Sequence, residues 1–392
     1  MKIMFLAGTY WPDQDGVSHV TQYLAEGLAK RHEVLVMSQL KPAMESNEEH
    51  NGVRIERIHV QRNPYWQCVQ GDKKQARERV KQYQPDVLIA VCVQNWGYDW
   101  FKKDLDRFPG KKVLMTHGCS CLREYRIMDK VKSLRIRRRI LADLLDVYHE
   151  WYGAHYKQSL IKDMEKYNLT TYLYEEERLH QYAKQHGLNK DVILENATED
   201  FFFDRKAYLV DNEKKTAFIN VSNYEELKNQ KKILEAFYEA DLPNARLDLI
   251  GSRENDYLNQ LRDLNKKMRI QHGTSPEVNI WVGLSRQQVL EVYRNADIYV
   301  CASDQEVMSI SLCEAAAGGL TILSTNVGHA AQIPGIHLFK TKDELVQLMK
   351  RIYDNPDLRK TSGKKAYEFA YNRYRTQDKV EVLEMTLQKM CD

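Results

Sequence analysis

Two glutamates, Glu306 and Glu314, bracket a short, mostly apolar stretch in "SDQEVMSISLCEAAAGG", residues 303–319. The preceding "DIYVCAS" reads as a strand ending about Ser303, and a helix should begin near Ser309. Glu306 then lies in the loop at a strand's carboxyl end, and Glu314 in the first turns of the helix. "SISLCEAAAGGL" has almost no polar face, so it does not read as a solvated surface helix. A carboxylate within it needs hydrogen-bond donors, and sugar or ribose hydroxyls are donors of that kind. The helix N-terminus, at Ser309 and Ile310, is left to face an anion.

Three other positions have chemistry to offer. Lys228, in "INVSNYEELKNQKKILEAFYEA", precedes the apolar pattern of Ile233, Leu234 and Phe237, where a lysine beside a helix N-terminus suits a phosphate. His117 ends the strand "KVLMTHG"; an imidazole at such an edge projects toward a ligand. Gly16 precedes a helix with Val20, Tyr23, Leu24 and Leu28 on one face, and glycine there lets helix amides approach an anion. Taken singly, a lysine is more often solvated, a histidine structural and a glycine an ordinary loop residue. There is no G-x-G-x-x-G and no Walker sequence, which removes the dinucleotide and P-loop readings.

The elements that must position these residues recur along the whole chain. "KIMFLAG", "EVLVMS", "VRIERIHV", "DVLIAVCV" and "KVLMTHG" form one series; "TAFINVS", "ARLDLIG", "VNIWVG", "DIYVCAS" and "LTILST" form another. Apolar strands, each followed by an amphipathic helix, predict parallel sheets covered on both faces. Two such series predict two doubly wound α/β domains, with the changeover near 195–215. Ligands in such sheets bind beyond the carboxyl ends of the strands.

Composition narrows the class further. With 392 residues, 43% hydrophobic and 29% charged, the chain reads as globular and long enough for two domains. A net charge of +3 gives no electrostatic case for binding nucleic acid. The apolar runs are too short to span a bilayer, and "MKIMFLAG" reads as a strand and not as a signal peptide. Seven scattered cysteines suit a reducing cytoplasm. "CSC" at 119–121 lacks a second cysteine or histidine pair to complete a metal site, so these read as buried or incidental thiols.

In this order, "YWPDQDGVSHVTQYLAEGLAKRHEVLVMS", "THG", "KNQKKILEAF", "VGLSRQQVLEVYRNADIYVCAS" and "EVMSISLCEAAAGGLTILST" resemble the retaining glycosyltransferases of family four. The resemblance implies the GT-B fold, two Rossmann-like domains facing a central cleft. An acceptor domain would span 1–197 and a nucleotide-sugar domain 198–374, with a C-terminal helix at about 375–392 crossing back. It implies that Glu306 holds hydroxyls of the transferred sugar and that Glu314 holds the nucleotide ribose. Lys228 would neutralise the diphosphate, with amides near Gly16, Ser309 and Ile310. His117 would lie beside the donor sugar, and Trp281 and Gly283 would border the base. Asn223 stands where the family commonly has a phosphate-binding arginine, five positions before the lysine. Loss of one such cation could cost on the order of 2–4 kcal/mol, by analogy with loss of an oxyanion-hole donor. Asp15 stands where a second glycine is common, and "NATED" at 196–200 replaces Asn-Gly-Val-Asp.

The implied activity is hexosyl or N-acetylhexosaminyl transfer from a nucleotide-diphosphate sugar, a UDP-sugar in particular, in surface or secreted glycan synthesis. It needs no cofactor and no metal if lysine and helix dipoles carry the leaving-group charge. Two alternatives stand beside it: a catalytically inactive subunit binding glycan or a partner protein, and a nucleotide-sugar epimerase. The acceptor would be a glycan, an anionic lipid or a polymer. "MDKVKSLRIRRRILADLLDVYHEW", residues 128–151, joins a basic first half to an apolar stripe of Leu134, Leu141, Leu145 and Tyr148. This pattern fits a packed helix with a solvated basic face, and equally a dock for anionic headgroups or a phosphate-bearing acceptor. The expected place is the cytoplasm, with peripheral association at the inner face of the membrane.

Overall fold

The computed structural model describes residues 1–392 except 14, 64, 120, 121, 123, 125, 133–139, 205, 210–214 and 273–275. The chain forms two compact units, Met1–Glu195 with Lys379–Asp392, and Asn196–Asp378.

The first unit opens with β1 (Lys2–Leu6), β2 (Glu33–Gln39), β3 (Asn47–His50), β4 (Val53–Ile58) and the small hairpin β5 (Val60–Arg62) and β6 (Val69–Gly71). It continues with β7 (Val87–Val91), β8 (Lys111–Met115), β9 (Leu169–Tyr172) and β10 (Asp191–Ile193). Among the described residues the main sheet runs β10-β9-β8-β7-β1-β2-β4-β3. Its ladders are parallel except β3 against β4. Strand β7, VLIAV, is buried from end to end, as a strand covered on both faces requires. The helices are α1 (Gly16–Ala29), α2 (Lys73–Tyr83), α3 (Trp96–Phe101), α4 (Ile127–Lys132), α5 (Ile140–Met164) and α6 (Arg178–Gln185).

The second unit holds β11 (Thr216–Val221), β12 (Ala245–Gly251), β13 (Glu277–Val282), β14 (Ile298–Cys301), β15 (Thr321–Ser324) and β16 (His337–Leu338). They form a fully parallel sheet, in the order β13-β12-β11-β14-β15-β16. Its helices are α7 (Gln230–Ala240), α8 (Asp256–His272), α9 (Arg286–Arg294), α10 (Ile310–Ala317), α11 (Lys342–Tyr353) and α12 (Pro356–Tyr371). The chain ends in α13 (Thr376–Cys391). From Lys379 onward this helix belongs to the first unit. Lys379 bonds Glu195 at 3.0 Å, and Glu384 accepts from Arg31 at 2.8 Å while lying 2.9 Å from His32 Nε2. Gly27 of α1 leaves room for it, since a Cβ there would lie 2.4 Å from Val380.

Both predicted strand series are present. The sheets also contain strands outside those series. "NEEH" of β3 is short, polar and half-exposed, as edge strands tend to be, and shows no apolar run. Cys119 is disulfide-bonded, whereas Cys68, Cys92, Cys301, Cys313 and Cys391 are free thiols; the reading of free thiols throughout is corrected at Cys119.

Candidate functional site

In the second unit β11 has β12 on one side and β14 on the other. Connections diverge at such a switch point, and their loops open a crevice outside the strand ends. The loop after β11 carries Lys228, and the loop after β14 carries Glu306. Lys228 Nζ donates to Glu306 Oε1 at 2.7 Å, and Ser303 Oγ donates to the same oxygen at 2.8 Å. Both side chains of the ion pair are partly buried. A lysine and a carboxylate are thus held together where the fold places ligands.

Local packing fixes this loop. Gly251 permits the Tyr224 ring to lie across the end of β12, where a Cβ would meet it at 2.4 Å. The Tyr224 hydroxyl lies 2.9 Å from the Leu249 carbonyl and 2.8 Å from that of Trp281. Asn223 Oδ1 accepts from Ser252 Oγ at 2.7 Å. Lys231, a neighbouring cation, is engaged away from the pair: its Nζ donates to Gln260 at 2.7 Å and lies 4.7 Å from the Tyr257 ring.

Helix α10 begins where the sequence predicts, with Ser309 as its N-cap. Ser309 makes no side-chain cap hydrogen bond, and the first turn contains no acidic residue. The leading amides, including that of Ile310, therefore meet no carboxylate from the cap or the first turn. Ser309 Oγ lies 2.9 Å from Ser311 Oγ, which lies 2.7 Å from the hydroxyl of Tyr299 in β14. This chain ties the helix start to the sheet.

Glu314 is 2% exposed and stands 2.6 Å from Arg286 Nη2. Its requirement for donors is thus met inside the protein, where the sequence pointed to ligand hydroxyls. Arg286 also grips Glu199 with both arms, Nε at 3.0 Å and Nη2 at 2.6 Å. Burial works against its charge, but Glu314 and Glu199 outweigh burial and raise its pKa above the usual arginine range. Arg286 and Glu199 are the partners that sequence reasoning missed. "SRQQ" signals only a helix start, realised as the Ser285–Gln288 capping box.

Gly283 follows β13 with φ of +65°, in the left-handed region that suits glycine, and its amide donates to Gly251 at 3.0 Å. Trp281 is exposed, and its indole N–H donates to Asp248 at 3.1 Å.

In the first unit β1 lies between β7 and β2, which makes β1 and β7 a second switch point. Gly16 is the first residue of α1, but the amides after it are occupied. Asp15 accepts from Val17 at 3.1 Å and from Ser18 at 3.0 Å. The anion role expected there meets a carboxylate already in place, which would repel a phosphate. His117 follows β8 with its Nε2 buried and without a hydrogen-bond partner among the described residues. Burial pulls this imidazole down to about 4, with Asp15 pulling the other way. Its backbone bonds the Cys92 thiol, which burial pushes up to about 12. His117 is therefore neutral at pH 7 and offers a hydrogen bond, not a charge.

A folded pKa below the ordinary 6.5 means that the unfolded chain binds the proton more readily. Stability from this group is intact above about pH 6.5 and is lost as pH falls toward about 4. Between pH 7 and 4.5 the loss should reach roughly 2–3 kcal/mol. His117→Asn should accordingly lose less of its Tm between these pH values than the parent. Equal losses by calorimetry would contradict the assignment.

The sequence contains Asp13–Asp15 and Asp104–Asp106 as Asp-x-Asp triplets. Asp13 pairs with Lys41 at 2.6 Å, Asp15 caps α1, and Asp104 pairs with Arg77 at 2.6 Å. No group of three or more His, Cys, Asp or Glu among the described residues is arranged to hold a metal ion. No helix among them is long and apolar enough to cross a membrane. Of the basic segment, residues 133–139, carrying Leu134, Arg135 and Arg137 to Arg139, lie outside the described residues. Beyond them Tyr148 of α5 meets Trp66 edge-on at 5.3 Å, and Trp66 and Trp151 are 56% and 52% exposed.

Comparison with solved structures places this architecture in a known class. Sucrose-phosphate synthase from Thermosynechococcus elongatus superposes with a TM-score of 0.73 at 13% identity, covering 99% of this chain and 98% of the other. HepE from Anabaena, solved in complex with UDP-glucose, gives 0.69 at 14% identity over 99% and 100%. WaaG, a glycosyltransferase involved in lipopolysaccharide biosynthesis, gives 0.65 at 17% identity over 95% and 96%. The fold is GT-B, the two-domain Rossmann-like architecture of glycosyltransferases. Residues 200–369, within the second unit, match the family described as Glycosyl transferases group 1. No curated protein sequence matches the chain.

Proposed function

We propose that the protein is a retaining glycosyltransferase of family four. It would move a hexosyl or N-acetylhexosaminyl group from a UDP-sugar to a glycan, lipid-linked or polymer acceptor in surface or secreted glycan synthesis. The observation that carries this reading is the 2.7 Å pair of Lys228 and Glu306 at the β11–β14 switch point of a glycosyltransferase domain. HepE, of the same fold, was solved with UDP-glucose bound.

A nucleoside diphosphate leaves the anomeric carbon as charge builds on its phosphates and the sugar becomes oxocarbenium-like. Lys228 and the amides opening α10 stand ready to stabilise that charge before it forms, the least costly way to lower the barrier. In this reading no metal is required. Glu306 accepts hydrogen bonds from sugar hydroxyls. Same-face attack, with the departing phosphate taking the acceptor's proton, retains configuration and needs no protein nucleophile. The exposed side chains of Trp66 and Trp151, with the basic run in the sequence before Trp151, support acceptor docking on the first unit, including an anionic surface at the inner face of the membrane.

Asn223 favours a second reading, a non-catalytic subunit that binds glycan or a partner protein. The amide supplies no charge and is tied to Ser252. Thermal-shift screening against UDP-, GDP-, ADP- and dTDP-sugars separates the two, with mass spectrometry of products. Donor at 100 times its Kd should add about 2.7 kcal/mol of stability. No shift with any activated sugar would refute the transferase.

A further inference from the structure

We propose that Arg286 is the positioning residue that makes Glu314 a selective acceptor for a ribose hydroxyl, and so the source of discrimination between ribonucleotide and 2′-deoxyribonucleotide donors. The inference rests on the reading of Glu314 as the ribose partner and adds the device that makes it selective.

Three separate segments meet at this one guanidinium. Glu199 lies just after the second unit begins, Arg286 is the first residue of α9, and Glu314 lies in α10. The fork on Glu199 fixes the plane of the guanidinium, and the Phe202 ring supports it at 4.8 Å. Oriented in this way, Nη2 reaches Glu314 Oε1 at 2.6 Å. The hydroxyl of buried Tyr293 donates to the Ser311 carbonyl at 3.1 Å and lies within electrostatic reach of Glu314. The glutamate is therefore held by Arg286 in a buried setting.

Exposure assigns the parts. The Glu314 side chain is 2% exposed and that of Arg286 is 36% exposed, so of the pair the guanidinium is the member open to solvent. A carboxylate can accept about four hydrogen bonds, so serving Arg286 does not by itself exclude serving a hydroxyl. A hydroxyl bonded to a fixed, ionised carboxylate makes a short, charge-assisted bond. An analogue that lacks the hydroxyl forfeits that bond, while Arg286 goes on serving the carboxylate at 2.6 Å. Without Arg286, Glu314 would be a buried carboxylate that has lost its counter-charge, and such groups neutralise or turn away. The preference for the hydroxyl should fall with it.

The experiment is calorimetric titration of the full chain with UDP and with 2′-deoxy-UDP, neither of which reports on transfer. The parent should prefer UDP by about tenfold or more. Arg286→Gln should bind UDP more weakly and 2′-deoxy-UDP almost unchanged, bringing the ratio to within about twofold. Arg286→Lys should fall between the two, since an ammonium keeps the charge but cannot fork. A merely structural role would weaken both nucleotides equally and leave the ratio alone. A parent without preference would remove the ribose reading of Glu314. A preference kept in full by Arg286→Gln would overturn the role of Arg286 and leave that reading standing. Should Arg286→Gln not fold, Arg286→Lys decides, and full retention of the preference there overturns the inference.

Discussion

Glu306→Gln should reduce the turnover of sugar transfer by about a hundredfold to a thousandfold, the scale seen when one preorganised polar group is removed from a transition state. The substitution is nearly isosteric. A glutamine oxygen can still accept from Ser303 Oγ, which lies 2.8 Å from Oε1 in the parent. What disappears is the negative charge opposite Lys228 and the strong acceptor for sugar hydroxyls. Glu306 sits in a loop and is partly exposed, so folding should be disturbed little, by about 1 kcal/mol or less. Nucleotide binding should survive and could tighten, because Lys228 is released from its partner. Steady-state kinetics with whichever activated sugar stabilises the protein, beside circular dichroism, makes the measurement. Turnover within twofold of the parent would remove Glu306 from the chemistry and favour the binding subunit.

Lys228→Met should have its largest effect on affinity for the diphosphate. The change removes a cation from a phosphate site and leaves Glu306 facing the phosphates without its 2.7 Å partner. Loss of a charged hydrogen bond and uncovered repulsion together should cost on the order of 2–4 kcal/mol, or roughly a thirtyfold to a thousandfold rise in Kd for UDP. The residue also lies partly open to solvent, so its contribution is screened by salt. Parent affinity should weaken as ionic strength rises, and the variant should respond less steeply. The double variant Lys228→Met with Glu306→Gln should bind UDP better than Lys228→Met alone, since the stranded carboxylate has gone. Calorimetry that found Lys228→Met binding UDP like the parent would place the diphosphate elsewhere.

Much of this site was legible before any coordinates. "DIYVCAS" and "SISLCEAAAGG" locate β14, its loop and α10 because burial of a parallel strand and its helix writes apolar runs directly into the chain. Glu306 at the strand end and Glu314 within an apolar helix follow from that pattern. The partners of both glutamates do not. Lys228 reaches Glu306 across 78 positions, and Arg286, the partner of Glu314, is itself held by Glu199 across 87. Neither separation leaves a periodic trace, and only the order of strands brings those loops together.

The sequence by itself determined two parallel α/β series and placed candidate ligand residues at their strand ends, since hydrophobic periodicity is a local consequence of which faces must be buried. The tertiary structure alone decided that β14 lies against β11 and so joins Lys228 to Glu306. It alone decided that Arg286 answers Glu314, and that Asp15 fills the α1 N-terminus where an anion was expected. Such pairings depend on how elements neighbour one another in space, and charges at element ends carry no pattern that records it.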